Sequence, residues 1–296
     1  ATTSLHRADA LARIGHEVIK FDPYAMLHPK INGRIKTIIH YRTGYRYLQS
    51  TVCKWLVKIL NNLENINLVW VDSGELLGCD VLYLLNELKV PVVLFNHDDP
   101  TGSRDGGRFY SLKKALNLYS IVTAVRDDSE KELHKNFSCN VLRIWRTYDE
   151  IQHSATLALL PIPAVYKSDV CFIGTWMRDE HRDEFLLALI NRGLNVAIWG
   201  ERWQKSELWN KLKSHWKGGS LSGADYVMAI QGAKVCLGLL SKGNRDLHTT
   251  RTMEVPYAGG LLCAERTTEH LQLYREDEEA VFWSDANECA DKCLDL

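Results

Sequence analysis

The chain has no excess of charge of either sign: 36 Lys and Arg stand against 37 Asp and Glu, a formal net charge of −1. A near-neutral protein has no bulk attraction for polyanions, so no nucleic-acid partner is expected. No apolar run is long enough to span a bilayer, and no secretory leader is visible. Internal repeats and low-complexity tracts are lacking. There is no Gly-Lys-Ser/Thr phosphate loop, no G-x-G-x-x-G opening a helix and no G-x-S-x-G elbow, which removes support for ATPase, dehydrogenase and serine-hydrolase readings. The eight cysteines show no paired spacing. Most lie in apolar runs such as 169–174 and 234–240, where they read as buried thiols of a reducing, cytoplasmic compartment. Cys289 and Cys293 can share a helix face, but no second pair or His completes a zinc set, so no metal is expected.

What remains is the composition of a soluble globular protein, 46% apolar and 25% charged, with length for one large or two ordinary domains. Short apolar runs at 68–71, 92–95, 121–124 and 141–144, then 170–173, 196–199, 235–240 and 260–263, alternate with amphipathic helical patterns such as 111–118 and 184–191. Continuous apolar strands joined by helices indicate parallel sheets covered on both faces. Two prolines interrupt the pattern at 160–167, which puts the domain junction there and predicts domains of 1–163 and 164–296. The chain opens on a capped helical pattern where an α/β domain would open on a strand, and it stops in another helical pattern. A sheet lacking its first strand is therefore expected.

Between residues 23 and 63 there are seven Lys or Arg and no Asp or Glu, with Tyr41, Tyr45, Tyr47 and Trp55 interleaved. Such a stretch reads either as peripheral contact with an anionic surface, a polyanionic acceptor or a membrane face, or as a helix whose basic side is merely solvated.

Polar or glycine-rich turns follow several strands of the second half. Gly174 and Thr175 precede Arg178, His181 and Arg182. Gly200 is followed by Trp203, and Lys217 opens the next glycine pair. Lys242 follows the strand at 235–240. Backbone amides at such turns, with a nearby cation, form anion sites. The segment 244–260 sets Asp246, Arg251 and Glu254 ahead of a small-residue turn and a buried strand. There an acid can hold ribose hydroxyls and an Arg a phosphate; a capped, solvated helix running into a core strand is the alternative. In the first half, His97 and Asp98 end a strand, where they can orient or deprotonate a hydroxyl. A polar turn is again the plainer reading.

Taken in order, these pieces resemble the CgeB-like glycosyltransferases, named for a spore maturation protein. The carriers are residues 69–74, the Asp98-Asp99-Pro100 turn, residues 169–175, 199–203 and 219–226, and Arg251-Thr252-Met253-Glu254 with Gly259. The resemblance implies a GT-B architecture, with two Rossmann-like domains facing a cleft, the first serving the acceptor and the second the donor. It also implies transfer from a nucleotide-sugar donor, a UDP-sugar or another nucleoside-diphosphate sugar, to a glycan, protein or lipid-linked hydroxyl, without metal or further cofactor and with retention. Glu254 matches the ribose-binding acid of a Glu-x7-Glu pair, and Asp246 stands where the first, sugar-contacting acid would be, one methylene shorter. Arg251 matches the family arginine near the pyrophosphate, helped by a glycine-turn amide near Gly174 and by Lys242. His97 and Asp98 would act on the acceptor. A nucleotide-sugar epimerase and a non-catalytic sugar-nucleotide or glycan-binding protein are the competing classes.

Overall fold

Helices precede strands in the first part of the chain. In the computed structural model, which describes residues 2–296, they are α1 (Thr2–Arg13), α2 (Pro23–Ile31), α3 (Arg34–Arg42) and α4 (Gln49–Leu60). Then come β1 (Val69–Asp72), α5 (Cys79–Asn86), β2 (Val92–Phe95), α6 (Tyr110–Ala115), β3 (Ile121–Ala124), α7 (Asp127–Asn136) and β4 (Val141–Arg143). The four strands are parallel and lie in chain order, β1-β2-β3-β4. Leu82 and Leu85 of α5, Val52 and Leu56 of α4 and Leu27 of α2 close one core over Val71, Val92, Leu94 and Val122. The spacing of three or four residues between the buried positions is what makes each of α4 and α5 one-sided.

The second unit holds β5 (Ser168–Ile173), α8 (Arg182–Asn191), β6 (Val196–Trp199), α9 (Trp209–Leu212), β7 (Trp216–Gly218), α10 (Gly223–Gln231) and β8 (Ala233–Gly238). It continues through α11 (Thr250–Tyr257), β9 (Leu262–Glu265), α12 (Thr268–Leu273), β10 (Val281–Trp283) and α13 (Ala286–Asp295). Its six parallel strands run β10-β9-β8-β5-β6-β7, so the order reverses between β5 and β8, as in a doubly wound nucleotide-binding sheet. Alternate residues feed two cores. Val170, Phe172, Val235 and Leu237 enter one, while Cys171, Ile173, Cys236 and Leu262 enter the other. That two-sided burial is why the strands read as unbroken apolar runs.

All eight strand expectations fall on strands. The two not expected, β7 and β10, are three residues long and close the sheet's two ends. Compact units divide at 145/146, ahead of the prolines: Ala1–Trp145 with Gly243–Arg245 form one, Arg146–Lys242 with Asp246–Leu296 the other. Residues 146–166 belong with the second unit because they are bonded into it. Ala155 O accepts from Gln231 Nε2 at 2.8 Å, Tyr257 Oη donates to Glu150 O at 3.0 Å, and Tyr166 stacks on Trp199. Gly243–Arg245 counts with the first because Arg245 donates to Asp99 at 2.7 Å and to Glu132 at 2.6 Å. Cys263 of β9 lies beside Cys289 and Cys293 of α13, the three buried sulfurs within 4.8 Å of one another. From sequence only the last two were connected.

Candidate functional site

In a doubly wound sheet, ligands bind beyond the carboxyl ends of the strands at the reversal, here β5 and β8. Helix α11 starts there. Thr249 caps it, accepting from Arg251 N–H at 3.2 Å, while Thr252 Oγ1 reaches back to accept Thr249 N–H at 3.0 Å. This reciprocal cap fixes the first turn, from which Arg251 and Glu254 project one turn apart. Arg251 Nε donates to Ile173 O, the last carbonyl of β5, at 3.2 Å, and its guanidinium lies 5.0 Å from the Tyr226 ring centroid. The same guanidinium pairs with Glu254.

Glu254 is 5% exposed and well supplied with donors. Tyr226 Oη, from α10, donates to its Oε2 at 2.7 Å. Burial, and then Glu254 itself, push the Tyr226 hydroxyl far above its usual range against the opposing pull of Arg251, so it serves as a neutral donor. His153 Nδ1 accepts Asp149 N–H at 2.9 Å, which leaves the proton on Nε2, 3.6 Å from Glu254 Oε1. Sequence reasoning singled out Arg251 and Glu254 but never His153, and it met Tyr226 only inside a family segment. An isolated His in a polar stretch offers no pattern, and its role exists only through tertiary contact.

The remaining expected residues take several places. Asp246 is 7% exposed and accepts from Arg146 Nη2 at 3.1 Å. Gly174 donates its N–H to Trp199 O at 2.9 Å, so this amide is a link to the neighbouring strand rather than an open anion donor. Gly200 has φ +133°, and a Cβ there would sit 2.2 Å from Gly174 O. The close approach of the two turns needs glycine at position 200. Trp203, read from sequence as a pocket residue, is fully buried in the core and donates its indole N–H to Gly174 O at 2.9 Å. A large apolar ring beside a strand end is better satisfied by packing than by exposure, and that is the correction.

Thr175 O accepts from Arg182 at 3.0 Å, and Arg182 also reaches Leu240 O at 3.4 Å, tying the ends of β5 and β8 together. Arg178 is exposed in the turn before α8, and Lys217 is exposed on the edge strand β7. Lys242 pairs with Glu265, both lining a hollow of ≈ 330 Å³ with Glu180, Arg182, Leu239 and Trp283.

In the first unit, the turn after β2 is built by Asp99, which is 3% exposed and accepts from Arg245, Thr101 and Ser129. Burial alone would raise its pKa, but those hydrogen bonds hold it below the usual carboxylate range. Asp98 keeps a quarter of its side chain exposed and pairs with Arg108 at 3.0 Å. His97 lies edge-on to Phe95 at 4.7 Å between centroids, and its carbonyl accepts from Arg126 at 2.9 Å. His97 and Asp98 stand in the turn that follows β2.

Residues 178–295 match a protein family described as glycosyl transferase-like. No curated protein matches the sequence. Among solved structures, the chain is similar to an α,α-trehalose-phosphate synthase (UDP-forming) from Burkholderia xenovorans, in complex with glucose-6-phosphate. The TM-score is 0.61 at 14% identity, over 100% of this chain and 88% of that one. It is also similar to the sucrose-phosphate synthase of Thermosynechococcus elongatus, with a TM-score of 0.57 at 14% identity over 84% and 69% of the two chains. HepE of Anabaena, in complex with UDP and glucose, gives a TM-score of 0.57 at 14% identity over 82% and 71%. With two parallel α/β sheets and these neighbours, the chain has the GT-B fold of glycosyltransferases.

Proposed function

We propose that the protein transfers a sugar from a nucleotide-sugar donor to an acceptor hydroxyl. The observation that carries this reading is the placement of Arg251 and Glu254, one turn apart on a doubly capped helix, at the strand ends where the second sheet reverses. The family match over 178–295 supports the reaction class, and the UDP-bound and UDP-forming neighbours support the donor class. The order of motifs shared with the CgeB-like enzymes supports the same reading.

Arg251 then serves the departing diphosphate, and Glu254 the ribose hydroxyls. These two side chains satisfy each other. A diphosphate offers the guanidinium a stronger anion, so binding draws Arg251 off Glu254 and releases carboxylate lone pairs for the sugar hydroxyls. Tyr226 stays on Glu254 Oε2 and keeps the carboxylate in place. As the glycosyl–oxygen bond breaks, negative charge grows on the leaving diphosphate, and a fixed guanidinium there acts where a metal otherwise would. Asp246, held by Arg146, positions the loop that enters α11. His97 and Asp98 orient the acceptor hydroxyl and accept its proton, with retention at the anomeric carbon as the expected outcome.

Nucleoside-diphosphate release from a panel of nucleotide sugars, with and without acceptor alcohols, tests this. Arg251→Lys, which keeps charge but loses the planar fork, should lower turnover by roughly 10²-fold, the scale of a lost transition-state donor. Turnover with an epimerised donor and no transfer, or nucleotide binding with no turnover, would replace the proposal.

A further inference from the structure

Helix α3, Arg34-Ile35-Lys36-Thr37-Ile38-Ile39-His40-Tyr41-Arg42, buries none of its residues. It is nonetheless fixed at one end. Tyr41 Oη donates to Asp105 Oδ1 at 3.0 Å, and the Arg108 guanidinium lies 5.4 Å from the Tyr41 ring centroid. Just beyond the helix, Gly44 O accepts from Ser111, and Tyr45 and Leu48 enter the core. The helix is therefore ordered and anchored through its Tyr41 side.

Its other side is only partly covered by the described residues of the chain. Ile35, Ile38 and Ile39 are 75%, 42% and 47% exposed. At 100° per residue these three fall within about 100° of arc. Arg42 lies within that arc, one turn beyond Ile38 and Ile39, while Arg34 and Lys36 flank it on either side. Lys30 at the end of α2 adds charge, and no acid occurs between residues 23 and 63 to neutralise it.

A merely solvated basic helix would place polar residues where the three isoleucines stand. A soluble polyanion would engage the cations and leave the isoleucines in water. A surface that is anionic at its head groups and apolar just beneath satisfies both at once. We propose that α3 docks the protein on an anionic lipid bilayer surface, its isoleucines entering the acyl boundary and Arg34, Lys36 and Arg42 meeting the head groups. This holds whatever the sugar, since it uses none of the residues assigned to transfer.

Co-sedimentation of the full chain with vesicles tests it, comparing phosphatidylcholine alone with phosphatidylcholine containing phosphatidylglycerol. The chain should pellet with the anionic vesicles only. It should be released by molar salt, where the screening length falls from about 10 Å to about 3 Å. Each of Arg34→Gln, Lys36→Gln and Arg42→Gln should weaken binding about fivefold. Ile35→Ser with Ile39→Ser should weaken it about tenfold. All five side chains are exposed, so unchanged thermal unfolding in each variant confirms that the losses come from the surface. The inference fails if the chain ignores anionic vesicles, or if both sets of variants bind like the parent. Retention on heparin without any vesicle binding would overturn it in favour of a soluble polyanion.

Discussion

Glu254 shows how a single carboxylate can be legible in sequence while its surroundings are not. Its spacing from Arg251 and its place ahead of a small-residue turn and buried strand pointed to a pocket. Tyr226, which donates to it, and His153, 3.6 Å away, lie in distant segments of the chain and meet it only in the folded unit. Gly200 and Trp203 have structural demands that local sequence does not announce. Both look like ligand-turn residues in sequence, yet Gly200 is required by backbone approach and Trp203 by the core. Gly200→Ala should cost about 3 kcal/mol, since it combines left-handed-side strain with a Cβ placed against Gly174 O. Chemical denaturation would read this as a lowered midpoint with an unchanged slope. A parent-like midpoint would mean that the turn relaxes freely.

At the level of elements, the central strands of the second sheet were visible because they are buried on both faces, whereas β7 and β10 are three-residue strands at that sheet's edges and were missed. The carboxyl-end turn of β9 is held by a clasp that no local spacing announces. Arg266 binds Glu276 at 2.6 Å from one side and Glu288 at 2.6 Å from the other, and Lys292 adds a contact to Glu276 at 3.0 Å. Hydrogen bonds from Arg266 are the main cause that lowers both carboxyls to about 2, from an ordinary 4.5. Folded values below unfolded ones mean that this stabilisation is complete above about pH 4.5 and is lost as pH falls toward 2. The clasp is partly solvated, so its contribution is modest. Arg266→Met should move the acid-unfolding midpoint upward, measured by circular dichroism. Superimposable acid titrations would show that the clasp contributes nothing.

For the whole molecule, the alternation of strands and helices was enough to reach two parallel-sheet units, and the resemblance to the CgeB-like enzymes supplied the expectation of a GT-B fold. The strand order was not, because order is set by which helices cover which face. The order matters most for function, since its reversal between β5 and β8 marks the strand ends where Arg251 and Glu254 stand. The unit boundary also escaped sequence reading. Prolines mark a break in local structure, but residues 146–166 are bonded into the second unit through Gln231, Tyr257 and Trp199. On the proposed function, this strand-end site binds the nucleoside diphosphate of a donor through Glu254 and Arg251. Calorimetric titration of a panel of nucleoside diphosphates into the parent chain and into Glu254→Ala decides it. The parent should bind at least one nucleotide, with the variant about tenfold weaker or worse, a loss of about 1.4 kcal/mol. Equal affinity of the two proteins for every nucleotide that binds, or no binding by the parent at all, would contradict it.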